Sequence, residues 1–348
     1  MIYGDFMAKR KGRNVIEFDS PVYISSSAAI AGKTEGEGPL AREFDIVYDD
    51  DGIGQSSWEN AEAELIYRAV NKAIEKAELT ENDVSLITAG DLLNQCTAST
   101  YGVRGMNIPF AGLFGACSTM AFSLALSAVL TDGGAFENTV CAVSSHFCSA
   151  EKQFRYPLEY GGQRSPTAQR TVTGGAAAVI SKNNSINVGI RRVMFGTITD
   201  LGITDSANMG AAMAPAAART VFSFLEDINA KPDDFDMILT GDLGFTGSEL
   251  LRKLAVSRYS VDISAVHNDC GMMIFDRERQ DVHSGGSGCA CSGLVLCSDI
   301  INRIRRGELK RVLFAGTGAL MSPLVSLQGE SIPGIAHAVE LSFEGEIS

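Results

Sequence analysis

The residue of this chain best suited to covalent chemistry is Cys117, which follows Gly115 and Ala116 and precedes a run of apolar residues. The pattern predicts a helix that begins at the cysteine, and the free backbone N–H groups of a helix start lower the pKa of a thiol. A thiolate in that position is a nucleophile for acyl transfer. The residue is equally compatible with a small, inert, buried side chain, as most free cysteines are. We favour a cysteine that lines a pocket.

Three other polar residues follow short apolar stretches and are candidates for the same site. His146 follows the predicted strand 140–144, where it either forms a Cys–His pair with Cys117 or is simply hydrogen-bonded at a strand end. Asp91 and Asp242 come at equivalent, sharp strand ends. Each carboxylate either faces a ligand or a cation, or caps the turn that follows, and we favour capping.

Positive groups for an anionic ligand are expected in segment 151–164, which mixes basic, aromatic and glycine residues and predicts a loop over the site. Arg155 and Arg164 are the candidates, because a guanidinium binds a carboxylate in a two-pronged fork. The backbone amides of the helices that begin after Gly115 and Gly288 are further donors for anions. The alternative is a solvated surface loop or a dimer contact.

Composition excludes several classes of function. The 348 residues carry a formal net charge of −13, which opposes binding to nucleic acid and adsorption to an anionic membrane. Apolar residues make up 45% and charged residues 20%, which is typical of a globular, cytosolic-type protein. The chain has no secretory signal pattern at its start, and polar residues interrupt the apolar window 104–132, so we expect no transmembrane helix.

The eight cysteines predict reduced thiols rather than disulfides, because a chain of this size does not need covalent cross-links. Cys289 and Cys291 are too close in sequence for a Cys-x-x-Cys motif, and only four histidines are present. We therefore expect no metal site.

The chain is internally duplicated. Three blocks recur in the same order: 77–92 with 228–243, 117–146 with 289–318, and 174–179 with 334–339. The first pair needs no gap, and its two copies end in Gly90-Asp91 and Gly241-Asp242. Such self-similarity predicts two structurally equivalent halves, residues 1–185 and 186–348.

Each half alternates strands and helices. A helix from about Trp58 to Ala77 is predicted to begin with a capping box of Ser56 and Glu59. The predicted strands, 86–89, 140–143, 238–240 and 313–315, are nearly wholly apolar, which is typical of sheets covered on both faces. The helices after Cys117 and Cys289 are also apolar all round and should be buried. The prediction is an α/β fold, a five-layer α/β/α/β/α sandwich.

This architecture, with a cysteine at the start of the first buried helix, resembles the thiolase fold, and the motif order resembles the type III β-ketoacyl-ACP synthases. Over nearly the whole chain there is a closer resemblance, to the stage V sporulation protein AD family of spore-forming Firmicutes. The motifs that carry it include residues 90–94, 113–119, 153–157, 200–205, 267–271 and 285–292.

The second resemblance implies a protein that binds dipicolinic acid (pyridine-2,6-dicarboxylate) or its calcium chelate, supports its uptake into the developing spore and takes part in its release in germination. It also implies membrane proteins of the same operon as partners and a peripheral location at the spore inner membrane. No cofactor is implied. By analogy with the thiolase fold, we expect a homodimer formed at a sheet edge of the first half.

The resemblance to the synthases implies a His and an Asn that polarise a thioester. Their places are taken here by Gly241 and Ser287, and loss of one such donor already costs about 10²–10³ in rate. We therefore expect a binding protein and no enzyme. Two alternatives remain: a thioester-dependent acyltransferase that uses Cys117 with an unusual base, and an interaction scaffold with a vestigial pocket.

The predicted cleft ends at Cys117, between the ends of the strands that carry Asp91 and Val143 and the turn Gly286-Ser287. The predicted ligand-binding set is Cys117, His146, Asp91, Asp242, Arg164, Gly286 and Ser287. The uncharged stretch 208–218 either forms an apolar wall of this pocket or packs as an ordinary helix.

Overall fold

The structure is a computed structural model that describes residues 9–155 and 164–346. Its first half contains β1 (Lys9–Lys11), β2 (Val15–Ala31), α1 (Lys33–Gly36), β3 (Ile46–Val47), α2 (Trp58–Lys76), β4 (Leu86–Gly90), α3 (Thr97–Val103), β5 (Phe110–Gly112), α4 (Thr119–Asp132), β6 (Thr139–Ser145), α5 (Phe147–Arg155), β7 (Arg170–Thr171) and β8 (Gly174–Ser181). Its second half contains β9 (Val188–Met194), α6 (Met209–Ile228), β10 (Met237–Thr240), α7 (Gly244–Tyr259), β11 (His267–Asp269), α8 (Cys270–Met273), β12 (Gly286–Ser287), α9 (Cys289–Val295), α10 (Ile301–Arg305), β13 (Arg311–Ala319), α11 (Pro323–Ser326) and β14 (Gly334–Phe343).

The strands form two five-stranded units with the same topology. The order is β5-β4-β6-β8-β2 in one unit and β11-β10-β13-β14-β9 in the other. In each unit the first three strands are parallel, and the last two each run antiparallel to the strand before them. The long strand β2 pairs with both β8 and β9 and so connects the units. The proposed boundary between residues 185 and 186 lies between β8 and β9 and stays a prediction.

The two units enclose a layer of buried helices. Helix α4 packs on β4 and β6 of one unit and on β13 and β14 of the other, while α9 packs on β6 and β8. Helix α2 covers the outer face of the first unit, and α6 covers that of the second. The order of layers is therefore helix, sheet, helix, sheet, helix, which confirms the predicted five-layer α/β/α/β/α sandwich.

Helix composition follows from position in these layers. Met120, Leu124 and Ala128 of α4 are fully buried, as expected for a helix that is apolar on every side. Helix α2 matches its predicted bounds to one residue, but its cap is Ser57, whose hydroxyl accepts from the Asn60 N–H at 3.2 Å. The predicted cap at Ser56 was wrong by one position.

Within the described ranges, no helix is long and apolar enough to cross a membrane. The apolar segment after Cys289 is divided: α9 ends at Val295, a π-helical turn runs from Leu296 to Ile300, and α10 follows. At that turn the Ser27 hydroxyl donates to the Cys297 carbonyl oxygen at 2.8 Å. A polar side chain from β2 therefore supplies a partner to a carbonyl group of the π turn.

Candidate functional site

A cavity of about 60 Å³ lies beside Cys117 and is lined by residues of both halves. The lining residues are Leu92, Phe114, Ala116, Cys117, Ala150, Phe154, Thr171, Met209, Met213, Ser287, Ala319 and Met321. All are apolar except the thiol and the two hydroxyl groups of Thr171 and Ser287. The volume is far below the several hundred Å³ of pockets for drug-sized ligands, so the cavity suits a small molecule.

Cys117 reaches the cavity from a short 3₁₀ turn, Ala116–Ser118, that precedes α4. Ala116 has a φ of 49°, a left-handed conformation that is uncommon for a residue with a side chain. The turn is held by the Ser118 hydroxyl, which donates to the Gly115 carbonyl oxygen at 2.6 Å. A Cβ atom at Gly318 of β13 would overlap that carbonyl oxygen, so a glycine is required where the two halves meet.

A buried carboxylate lies behind the thiol. Cys117 Sγ is 3.9 Å from Ser287 Oγ, and the Ser287 hydroxyl donates to Asp242 at 3.1 Å. Asp242 is fully buried and also accepts from the Gly288 N–H at 2.9 Å and the Thr317 hydroxyl at 2.9 Å. Because these partners are neutral groups, burial dominates and raises the pKa of Asp242.

The environment of Cys117 opposes a thiolate. Burial raises the pKa of this thiol well above its usual value, and the nearby Asp242 carboxylate raises it further. The prediction from sequence, a pKa lowered by the helix start, was therefore wrong. Only 8% of Cys117 is exposed, and its charged neighbour is the acid Asp242. Reactive cysteines lie instead in electropositive, accessible surroundings.

This arrangement predicts slow alkylation. Iodoacetamide at pH 8 should leave Cys117 of the folded protein unmodified, because the thiolate is the reacting species. Cys148, the one half-buried thiol among the cysteines, should react first. Peptide mapping by mass spectrometry measures both rates, with the denatured chain, in which all eight cysteines react, as the control. Modification of Cys117 ahead of Cys148 would show that the thiol is activated.

The position expected for a catalytic histidine cannot hold a side chain. A Cβ atom at Gly241 would lie 2.7 Å from the Thr317 backbone nitrogen and 3.0 Å from its hydroxyl oxygen. The next residue, Asp242, supplies the carboxylate behind Cys117, and Ser287 occupies the place expected for the asparagine. The thiol therefore has an acid and a hydroxyl as its polar neighbours, in place of the expected histidine and asparagine.

Three of the helix-start amides that were expected to bind an anion have partners within the protein. The Gly288 N–H donates to Asp242, and the Ala290 N–H donates to the Ser145 hydroxyl at 3.1 Å. At the other helix start, the Ser118 N–H donates to the Gly115 carbonyl oxygen at 3.1 Å. These groups are internally satisfied, which removes them as donors for a carboxylate.

Asp91 caps a helix start. One oxygen accepts from the Leu93 N–H at 2.8 Å, and the other accepts from the N–H and the hydroxyl of Ser99 at 2.8 and 2.7 Å. Burial raises the pKa of this carboxyl group. Its neighbour Leu92, and not Asp91 itself, lines the cavity. The favoured interpretation, a capping role at a strand end, agrees with these contacts.

The structure does not bring His146 to Cys117. Its Nε2 atom lies 2.8 Å from the carbonyl oxygen of Asp51, its Nδ1 atom accepts from the Cys148 N–H at 3.1 Å, and its ring packs near Trp58. Burial lowers the pKa of the ring, so it is held in its neutral form. The alternative of a histidine hydrogen-bonded at a strand end describes this residue.

Arg164, one of the two predicted cationic donors, is not among the residues that line the cavity. Arg164 donates to Asp281, at 2.9 Å to the carbonyl oxygen and 2.6 Å to the carboxylate, and so already has an anionic partner. The side chain of Arg155 and residues 156–163 lie outside the described residues. The role of this segment as a loop over the site therefore stays a prediction.

Gly286 and Ser287 form the short strand β12, which pairs with Arg170 and Thr171 of β7. This pairing places the hydroxyls of Ser287 and Thr171 side by side in the cavity wall. A Cβ atom at Gly286 would lie 2.5 Å from Ile274, so a glycine lets β12 approach the core. Gly286 supports the site without lining it.

Sequence reasoning missed several residues. Thr171 lines the cavity, but a two-residue strand leaves no periodic signal. The uncharged stretch 208–218 was not missed: Met209 and Met213 line the cavity, so the stretch provides a wall of the cavity and also belongs to helix α6. Glu62, which is buried near the start of α2, was also missed. Its carboxylate accepts hydrogen bonds from the hydroxyls of Ser144 and Ser149, and burial raises its pKa well above the usual value.

Solved structures with the same architecture include a tetronic acid condensing enzyme. The 3-oxoacyl-[acyl-carrier-protein] synthase III of Aquifex aeolicus VF5 matches 92% of this chain and 100% of its own, with a TM-score of 0.56 and 11% identity. OleA from Xanthomonas with cerulenin bound matches 93% of this chain and 97% of its own, with a TM-score of 0.59 and 14% identity. At such identities the likeness concerns the fold alone. The chain is a thiolase-fold protein.

Comparison of the sequence with known families identifies a narrower group than comparison of the fold. The model of the stage V sporulation protein AD family matches residues 12–342. A protein called stage V sporulation protein AD from Bacillus subtilis (strain 168) is 44% identical over 340 residues, which cover 98% of this chain and 100% of that protein. The chain therefore belongs to the stage V sporulation protein AD family.

Proposed function

We propose that the protein binds dipicolinic acid, or its calcium chelate, in the cavity beside Cys117 and does not catalyse condensation. In this role it supports uptake of the ligand into the developing spore and its release in germination. The observation that carries the proposal is the environment of the Cys117 thiol: Gly241 leaves no side chain at the position expected for the histidine, and burial beside Asp242 opposes formation of the thiolate.

The chemistry of the cavity supports an aromatic ligand with polar substituents. Phe114, Phe154 and Met213 offer apolar surface to a ring, and the paired hydroxyls of Thr171 and Ser287 offer two neutral hydrogen-bonding groups. The cavity is too small for a long acyl chain. The apolar side chains suit the faces of a pyridine ring, and the hydroxyls suit its short polar substituents.

Among the described residues that line the cavity no side chain is charged, which favours the chelate over the free ligand. A dicarboxylate dianion loses its hydration on entering an apolar cavity, and this loss is costly when no counter-charge replaces the water. The nearby Asp242 adds a second acid behind the hydroxyl of Ser287. A chelate with one calcium ion carries no net charge, so its transfer costs less. We expect the chelate to bind more tightly.

Isothermal titration calorimetry tests this proposal. Dipicolinate is titrated into the full chain once with EDTA and once with equimolar calcium, and benzene-1,3-dicarboxylate, which lacks the ring nitrogen that completes the chelate, serves as the matched control ligand. We expect binding in the presence of calcium and at least about tenfold weaker binding with EDTA or with the control ligand, a difference of about 1.4 kcal/mol. Absence of binding under all conditions would contradict the proposed function.

We also propose that the protein works as a homodimer with membrane proteins of the same operon, at the periphery of the spore inner membrane. The edge strand β5 supports the dimer, because it ends the strand order of its unit and its first residue, Phe110, is 37% exposed. Phe114, which lines the cavity, follows this edge and is half exposed. A partner subunit at β5 would therefore cover one side of the cavity.

A further inference from the structure

A surface of exposed aliphatic side chains lies on two neighbouring segments, 197–205 and 320–333. The exposed fractions are 57% for Ile198, 53% for Leu201, 69% for Leu324, 40% for Val325 and 88% for Leu327. These residues include the most exposed large apolar side chains among the described residues. Together they form what we call the aliphatic patch, and apolar groups gathered in this way mark interaction sites.

The aliphatic patch is held in place by the second half of the protein. The Ser331 hydroxyl donates to Asp200 at 2.6 Å, and the Ile332 N–H donates to the Ile203 carbonyl oxygen at 2.7 Å. Thr199 and Gly334 exchange two backbone hydrogen bonds at 2.8 Å. The two segments therefore present their exposed side chains from one connected surface.

The charges around the aliphatic patch have one sign. Every charged residue of the two segments is acidic: Asp200, Asp205 and Glu330. A depression of about 300 Å³ between the segments is lined by Asp200, Val325 and Glu330 together with serine, leucine and proline residues. The hydrogen bond from Ser331, followed by one from the Gly202 N–H, lowers the pKa of Asp200, so this carboxylate is charged at neutral pH.

From these features we infer that the aliphatic patch binds a segment of another protein that presents aliphatic side chains flanked by lysine or arginine. The apolar residues supply the contact area, and the two carboxylates of the depression supply partners for a basic side chain. An anionic lipid surface is disfavoured by the same carboxylates. The cavity beside Cys117 is lined by Ala319, just before segment 320–333, and by Met321 within it. A peptide bound at the aliphatic patch would therefore lie close to the ligand site. The inference does not depend on the identity of that ligand.

The test uses a synthetic peptide of leucine and lysine patterned as an amphipathic helix, with a matched peptide in which glutamate replaces each lysine. Fluorescence anisotropy measures binding to the full chain. The triple variant Leu201→Ser, Leu324→Ser, Leu327→Ser removes the apolar surface at exposed positions, where substitutions change stability little. Val256→Ser, at a residue that is 56% exposed on α7, is the matched control.

The basic peptide should bind the parent and the Val256→Ser protein equally, and the triple variant at least about tenfold more weakly. Glu330→Gln should weaken binding about two- to fivefold and reduce its dependence on salt. Equal binding to parent and triple variant, or equal binding of the acidic peptide, would overturn the inference.

Two further arms distinguish other occupants of the aliphatic patch. Vesicles of phosphatidylglycerol and phosphatidylcholine should not bind the parent. Vesicle binding that the triple variant loses would assign the patch to a lipid surface and overturn the inference.

Sedimentation velocity should give the same oligomeric state for parent and triple variant. A change of oligomeric state would assign the patch to a second copy of the chain. Dipicolinate binding by the triple variant should be unchanged, which separates this test from that of the proposed function.

Discussion

Replacing Cys117 by tryptophan should abolish binding of dipicolinate and of its calcium chelate. The cavity beside the thiol measures only about 60 Å³, and an indole ring in its wall would occupy the space of the ligand ring. We expect affinity to fall by at least about a hundredfold, or roughly 2.7 kcal/mol. Calorimetric titration measures the loss, and thermal melting checks that the variant is folded.

The controls separate a filled cavity from a lost thiol. Cys117→Ala removes the thiol and enlarges the cavity, so it should keep affinity within about tenfold, because a neutral thiol contributes at most about one weak hydrogen bond. Cys117→Leu fills the same space with a smaller group and stands in if the tryptophan variant does not fold. Full-strength binding by a folded Cys117→Trp protein would place the ligand elsewhere.

Restoring the histidine of a condensing enzyme at Gly241 should destabilise the protein instead of creating activity. A Cβ atom there already lies 2.7 Å from the Thr317 nitrogen, and the Gly241 N–H donates to Ala315 within the pairing of β10 and β13. An imidazole would force these strands apart. We expect Gly241→His to lower the free energy of unfolding by more than about 3 kcal/mol, measured by chemical denaturation.

Gly105→His is the matched control for this variant, because a Cβ atom at Gly105 has open space around it. That substitution should change stability by less than about 0.5 kcal/mol. Both variants are then assayed for thioester hydrolysis. A Gly241→His protein as stable as the control, with hydrolysis that depends on Cys117, would show that the site is one substitution away from an enzyme.

The fold was predictable because its determinants are repetitive. The duplicated blocks and the apolar strands and helices indicated two equivalent units around a buried layer, and the two sheets share one strand order. Local detail was less predictable. The cap of α2 lies at Ser57 and not at Ser56, since adjacent serines offer the same chemistry and only the backbone geometry selects between them.

The internal repeat also made part of the site predictable. The repeat related Cys117 to Cys289, and the structure places Ser287, two residues before the second cysteine, within 3.9 Å of the first. The position of His146 could not be predicted, because its contacts with the loop at Asp51 depend on long-range packing. The pKa of Cys117 was misjudged because the sequence does not reveal how completely the thiol is buried, or that the Asp242 carboxylate lies directly behind it.

The site beside Cys117 has some of the features of a condensing enzyme's active site and lacks others. The thiol, the turn that presents it and the buried helix after it are all present, whereas the position of the base cannot hold a side chain and a carboxylate lies beside the thiol. Each change acts against formation of the thiolate or against stabilisation of an oxyanion. The cavity beside the thiol remains open to a small ligand, as the proposed binding function requires.

Intact-mass analysis after exposure to acetyl-CoA tests the central claim most directly. The folded chain is incubated with the thioester at neutral pH, and its mass is compared with that of the Cys117→Ala variant treated in the same way. We expect no acyl adduct on either protein and no release of free CoA above the uncatalysed rate. An acyl adduct on the parent that is absent from Cys117→Ala, accompanied by repeated turnover, would contradict the account and identify the protein as an acyltransferase.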